Sequence, residues 1–261
     1  KSIRIANAIS KKEMIINVTG SWHGSVDRTL FTSSKSLKSI PISSGLTNFN
    51  KRNIKFIPYN NIVKSKKILN IHKNKISCII IEPVQASLPQ TKVRKYLKFL
   101  DNFSKKNNII LIFDETISGI RFNGQSVQQI FKLNPDISTF GKCLGGGLPI
   151  GIIALRKSIF KKINNLKQKV FFGGTFSANQ ISSYLGRKTV EFILKKKKKI
   201  FLDLEKKSFF FEKEIKNFIL KNKINANIFR YYSILRIVFS KEIPKDRVER
   251  DFLEKDKNNK I

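Results

Sequence analysis

Asp114 and Lys142 are the two side chains of this chain best placed to do chemistry together. Asp114 closes the apolar run Ile109-Ile110-Leu111-Ile112-Phe113, which reads as a buried parallel strand. Lys142 follows a short strand-like segment, Ile137-Ser138-Thr139-Phe140. In open α/β sheets ligands sit outside the carboxyl ends of strands, so both side chains are expected to face one crevice. An amine and a carboxylate meeting there suit pyridoxal phosphate: the amine forms a Schiff base with the aldehyde, and the carboxylate keeps the pyridine nitrogen protonated. Taken alone, an Asp-Glu pair is an ordinary strand end and the Gly145-Gly146-Gly147 run an ordinary turn, so the two signals need the rest of the string.

Positioning them requires alternating strands and helices. Strand-like runs fall at 14–19, 55–58, 76–82, 109–114, 137–140 and 151–155, and helical patterns at 92–107, 125–131 and 177–194. That alternation predicts an α/β fold with a mostly parallel sheet. A second amphipathic helix is expected at 201–224, followed by a β-rich stretch at 227–239 that suits a hairpin. Residues 31–50 lack clear periodicity and read as a long loop, either a lid over the site or a surface connection. The charged stretch 241–261 is expected to pack poorly.

Five ordered blocks extend the two-residue signal. They are GSWHG at 20–24, EPV at 82–84, FDETISGIR at 113–121, PDISTFGKCLGGGLPIG at 135–151 and GGTFSAN at 173–179. In this order they resemble the class III aminotransferases, a branch of the fold type I pyridoxal phosphate enzymes, and within them the glutamate-1-semialdehyde aminomutase subgroup. The resemblance spans about residues 1–195. It implies a large cofactor domain at 1–199, lacking its N-terminal part, and the start of a small α+β domain at 200–261. Arg4-Ile5-Ala6 reads like the helix after the family's phosphate loop, and the chain is expected to be an internal fragment of a longer enzyme.

Residue by residue, the resemblance implies that Lys142 is the Schiff-base lysine and Asp114 the partner of the pyridinium nitrogen. Trp22 would stack on the ring, where the family more often has tyrosine or phenylalanine. His23 is expected near the cofactor region, chiefly fixing local backbone, and Glu82 is expected to brace the shell of the site. Gly174 and Thr175 match the segment that meets the cofactor phosphate of a neighbouring subunit, which implies a homodimer with shared sites acting on a small amino or keto substrate. Three departures stand out: Gln85-Ala86-Ser87-Leu88 follows EPV where the aminomutases usually have a Gly-Asn stretch, which bears on the substrate subgroup; Gln180 stands where a proline commonly follows Asn179; and Ile117 replaces a residue that is glutamine in many class III ω-aminotransferases and apolar in the aminomutases, which leans toward the aminomutase side. A transaminase of the same family acting on a sugar or other metabolite is the alternative that the first departure leaves open.

The net charge of +34 over 261 residues invites a nucleic-acid reading. Lysine, however, is spread along the whole chain, and no zinc-finger, RNP or helix-turn-helix pattern accompanies it. A solvated basic surface is the reading adopted, with neither nucleic acid nor membrane as partner. Cys78 and Cys143 lack metal-ligand spacing and are both read as small packing residues of a cytoplasmic protein.

Overall fold

The computed structural model describes residues 1–255. In chain order the helices are α1 (Ser2–Ser10), α2 (Asn48–Arg52), α3 (Ile62–His72), α4 (Arg94–Lys106), α5 (Val127–Phe131), α6 (Lys157–Asn164), α7 (Gln180–Lys221) and α8 (Arg247–Leu253). The strands are β1 (Met14–Val18), β2 (Phe31–Ser33), β3 (Ser39–Pro41), β4 (Ile54–Ile57), β5 (Ile76–Ile81), β6 (Ile110–Asp114), β7 (Ile137–Gly141), β8 (Gly151–Leu155), β9 (Asn227–Tyr231) and β10 (Ile234–Val238).

Strands β5 and β6 are unbroken runs of buried residues, because helices cover both faces of the sheet. Successive side chains point to opposite faces. Ile79, Ile81, Leu111 and Phe113 join Leu69 of α3 and Tyr96, Leu97 and Leu100 of α4 in one apolar cluster. Cys78, Ile80, Ile110 and Ile112 join Ile5 and Ala6 of α1 and Ile159 and Ile163 of α6 in the other. The sheet order is β4-β1-β5-β6-β7-β8, parallel throughout except for β8, which returns antiparallel to β7. This is the expected α/β sheet, with α3 and α6 added where the sequence reading gives no element.

Three expectations are corrected. The two helices foreseen at 177–194 and 201–224 are one, α7, of 42 residues. Lysine is a good helix former and neither Gly nor Pro interrupts 195–199, so the basic run continues the helix rather than ending it. The boundary proposed at 199 falls inside α7. Residues 31–50 are not an irregular loop: β2 and β3 pair antiparallel, and Phe31 packs on Ile54 and Phe56 of the sheet's edge strand. The charged stretch from 241 packs better than its composition implies, since α8 buries Arg250; positions 256–261 of that stretch lie outside the described residues. The hairpin expected at 227–239 is present as β9 and β10. Among the described residues no helix is long and apolar enough to cross a membrane.

Candidate active site

The carboxyl ends of β1, β5, β6 and β7 lie side by side, and the residues singled out follow them directly. Asp114 is the last residue of β6, and its register partner on β7 is Thr139. Lys142 comes immediately after β7, at the start of a short 3-10 turn over Lys142–Gly145. Its φ of 50° is left-handed, a conformation that non-glycine residues adopt at a cost and that concentrates at functional sites.

Asp114 is 9% exposed and surrounded by donors. Its Oδ1 accepts from the Thr116 backbone N–H at 3.2 Å, the Thr116 hydroxyl at 2.5 Å and the Thr139 hydroxyl at 2.8 Å. Its Oδ2 accepts from His23 Nδ1 at 2.8 Å. Burial alone pushes this carboxyl up, but the histidine and the two threonine hydroxyls outweigh it and bring the group down to about 2. An ionised carboxylate only accepts, so the proton of the His23 pair sits on Nδ1. His23 therefore orients a side chain, not local backbone as expected. Its Nε2 is buried and makes no hydrogen bond among the described residues.

The adjacent Trp22 has its side chain in the open, 46% of the residue being exposed. Its backbone N–H donates to Glu82 Oε2 at 2.7 Å, which is the bracing expected of Glu82. Glu82, just past β5, is nearly removed from water. Burial raises its carboxyl to about 7 despite the opposing presence of His23 and the Trp22 N–H. The neighbouring Glu115 has a purely local role. It accepts from the first backbone N–H groups of α5, Val127 at 2.8 Å and Gln128 at 3.0 Å, where the exposed donors of a helix start favour a carboxylate.

The triple glycine is a packing seat rather than a loose turn. Gly146 has φ 62°, and a Cβ there would collide with the Thr189 hydroxyl of α7. Helix α7 thus rests on the turn that carries Lys142. Cys143, expected to be packed, is exposed on that turn, whereas Cys78 is buried in β5 and its thiol is pushed up to about 12. Gly174 and Thr175 lie in an exposed segment fastened to the start of α1, through Arg4 Nη1 to the Phe171 carbonyl at 2.8 Å and Lys1 Nζ to the Ser177 hydroxyl at 2.8 Å. Asn179 of the same block caps α7, accepting from Ser182 N–H at 3.0 Å. Gln180 is then the first helical position, where proline is equally at home, so the departure there leaves the cap intact.

The sequence profile described as "Aminotransferase class-III" matches residues 1–228. The chain belongs to the class III aminotransferases. Among class III relatives, the glutamate-1-semialdehyde 2,1-aminomutase of Methanosphaera stadtmanae is 36% identical over 182 residues, covering 69% of this chain and 43% of that protein. The corresponding protein of Methanococcus maripaludis strain C6 is 32% identical over 247 residues, covering 92% and 56%. The chain thus spans about half the length of the curated class III relatives it matches. The fold is shared with a transaminase solved with PLP bound, at TM-score 0.82 and 22% identity, covering 92% of this chain and 56% of that one. It is shared too with an omega-transaminase from Sphaerobacter thermophilus, at TM-score 0.84 and 20% identity, covering 100% and 59%.

Proposed function

We propose that this chain carries the pyridoxal phosphate site of a class III enzyme whose reaction is that of the glutamate-1-semialdehyde aminomutases. The observation that carries the reading is Asp114: a buried carboxylate held ionised by four donors, one strand away from a lysine in a left-handed turn. A carboxylate kept negative in a buried setting fits a cationic ring nitrogen. The donor set therefore suits the cofactor. When bound, pyridoxal phosphate supplies an electron sink for bonds at the amino-bearing carbon of a substrate.

Under this reading Asp114 keeps a proton on the ring nitrogen, and His23 fixes the angle of the Asp114 carboxylate through Nδ1. Trp22 offers its exposed indole as a face for the ring. Glu82 holds the Trp22 backbone and so the height of that face. Lys142 Nζ would anchor the cofactor and, once freed, carry a proton between the amino-bearing carbon of the substrate and the cofactor, as base and then acid. Gly174 and Thr175 would serve a phosphate across a homodimer. Support comes from the exposed Phe171, Phe172, Phe176, Ile181 and Tyr184 around them, an apolar surface of the kind a second copy covers. Two free thiols accord with a reducing cytoplasm.

The test is product formation. Purified protein incubated with pyridoxal phosphate and glutamate-1-semialdehyde, without any other amino donor, is expected to yield 5-aminolevulinate. A strict requirement for an added donor such as glutamate would point instead to a transaminase, the reading that the Gln85-Ala86-Ser87-Leu88 departure leaves open.

A further inference from the structure

Helix α8 lies far along the chain from the site, yet its two inward arginines end on the loops that frame it. Arg250 is 6% exposed. Its Nη1 donates to the Ser87 carbonyl at 2.5 Å, and its Nε faces Asp251 Oδ1 at 3.0 Å and Glu254 Oε2 at 3.4 Å. A guanidinium so nearly removed from water is tolerated only when its donors are matched, and here one is matched by a backbone carbonyl of a remote loop. One turn earlier, Arg247 Nη1 reaches the Gly20 carbonyl at 3.4 Å while its Nε faces Asp251 Oδ2 at 3.5 Å. Just before the helix, the Lys245 carbonyl accepts from Gln90 Nε2 at 2.6 Å.

These contacts converge on two loops. Gly20 stands two residues before Trp22, and Ser87 five residues after Glu82. The loops touch each other too: Gln85 Nε2 donates to the Thr19 carbonyl at 2.7 Å, and Ser87 Oγ to the Gly20 carbonyl at 3.3 Å. At Gly20, with φ 84°, a Cβ would come within 2.6 Å of Gln85 Oε1 and 2.8 Å of the Arg247 Cβ. Only a glycine lets the three segments close to this distance. On the site side of the seam, the Trp22–Glu82 hydrogen bond links the same two loops.

We propose that α8 is a positioning element of the site, its Arg247 and Arg250 clamping the loop at 20–24 against the loop at 83–90 and so setting where Trp22 and His23 stand. Neither arginine touches the reacting groups; both act through the loops. The clamp stands on these contacts alone. Only its consequence for cofactor binding rests on the proposed function.

Trp22 is the chain's single tryptophan, so its fluorescence reports on the clamped loop directly, without cofactor. In the full chain, Arg250→Gln and Arg247→Gln are to be compared with wild type and with Arg187→Gln, whose residue is exposed on α7 and paired with Glu191. Acrylamide quenching of Trp22 is expected to change in both clamp variants and not in Arg187→Gln, at unchanged far-UV circular dichroism. Losing one charge-assisted hydrogen bond of the clamp should also weaken pyridoxal phosphate binding about 10-fold. Quenching identical to wild type in Arg250→Gln overturns the proposal. If Arg250→Gln does not fold, identical quenching in Arg247→Gln does the same. Altered quenching in a protein that binds no pyridoxal phosphate in any form would keep the clamp and remove the cofactor reading.

Discussion

His23 Nδ1 lies 2.8 Å from Asp114 Oδ2, although 91 positions separate the two residues. This pair concentrates the electrostatics of the site, since the histidine is the largest influence opposing the effect of burial on Asp114. Replacing His23 by Phe should raise the Asp114 carboxyl by about one unit, equivalent to about 1.4 kcal/mol between its two protonation states. The check is a carboxyl titration followed by NMR. An unchanged Asp114 would mean that the threonine hydroxyls suffice.

Lys142→Ala should abolish the visible absorbance band that wild-type protein acquires with pyridoxal phosphate. Borohydride treatment of wild type should leave a mass increase on the peptide containing Lys142. Label on another lysine instead would move the anchoring role away from this turn.

Glu82 and Asp114 make stability depend on pH in opposite directions. Glu82 rises from 4.5 to about 7 on folding, so the folded protein holds a proton there that the unfolded chain has released. Its contribution is fully present below pH 4.5 and is lost as pH climbs through 7, by up to about 3 kcal/mol. Asp114 falls from 3.8 to about 2, so its contribution is present above 3.8 and disappears as pH drops towards 2. Urea unfolding of Glu82→Gln, which retains an acceptor for the Trp22 N–H, should be flatter than wild type between pH 4.5 and 7.

Much of this site is legible in the sequence because strand ends are. Asp114 and Lys142 each terminate a recognisable β segment, and the order of the blocks supplies the rest. The His23–Asp114 contact is not legible, because it depends on which strands lie side by side: β1 pairs with β5, one strand from β6, although β2, β3 and β4 come between β1 and β5 in the chain. The unity of α7 is hidden for a different reason: five lysines in a row read as the solvated end of a helix, whereas packing of its first half on the turn at Gly146 and of its second half on β9 commits the whole length. Glu82 as a brace is readable only from the family block, since nothing local marks its acceptor as aimed at Trp22.

Gly146→Ala should cost about 1–3 kcal/mol, from left-handed strain together with the collision at Thr189. Thermal unfolding measures the loss. Gly146→Ala combined with Thr189→Ala should recover the steric part and leave the strain.

The two thiols should differ sharply towards an aromatic disulfide reagent. One equivalent is expected to react in native protein, at the exposed Cys143, and two after denaturation, because Cys78 is buried with its thiol pushed up to about 12. Cys143→Ser should remove the native reaction entirely.

The strand order has a kinetic consequence. Because β1, β5, β6 and β7 meet through crossovers and never through hairpins, no local piece of the chain can form the site early, and pairings between distant segments are the slow ones in folding. Trp22, Glu82, Asp114 and Lys142 come into register only when the sheet itself closes. A chain emerging during synthesis would therefore have no partial affinity for its cofactor, and capture of the cofactor would mark the completion of folding rather than guide it.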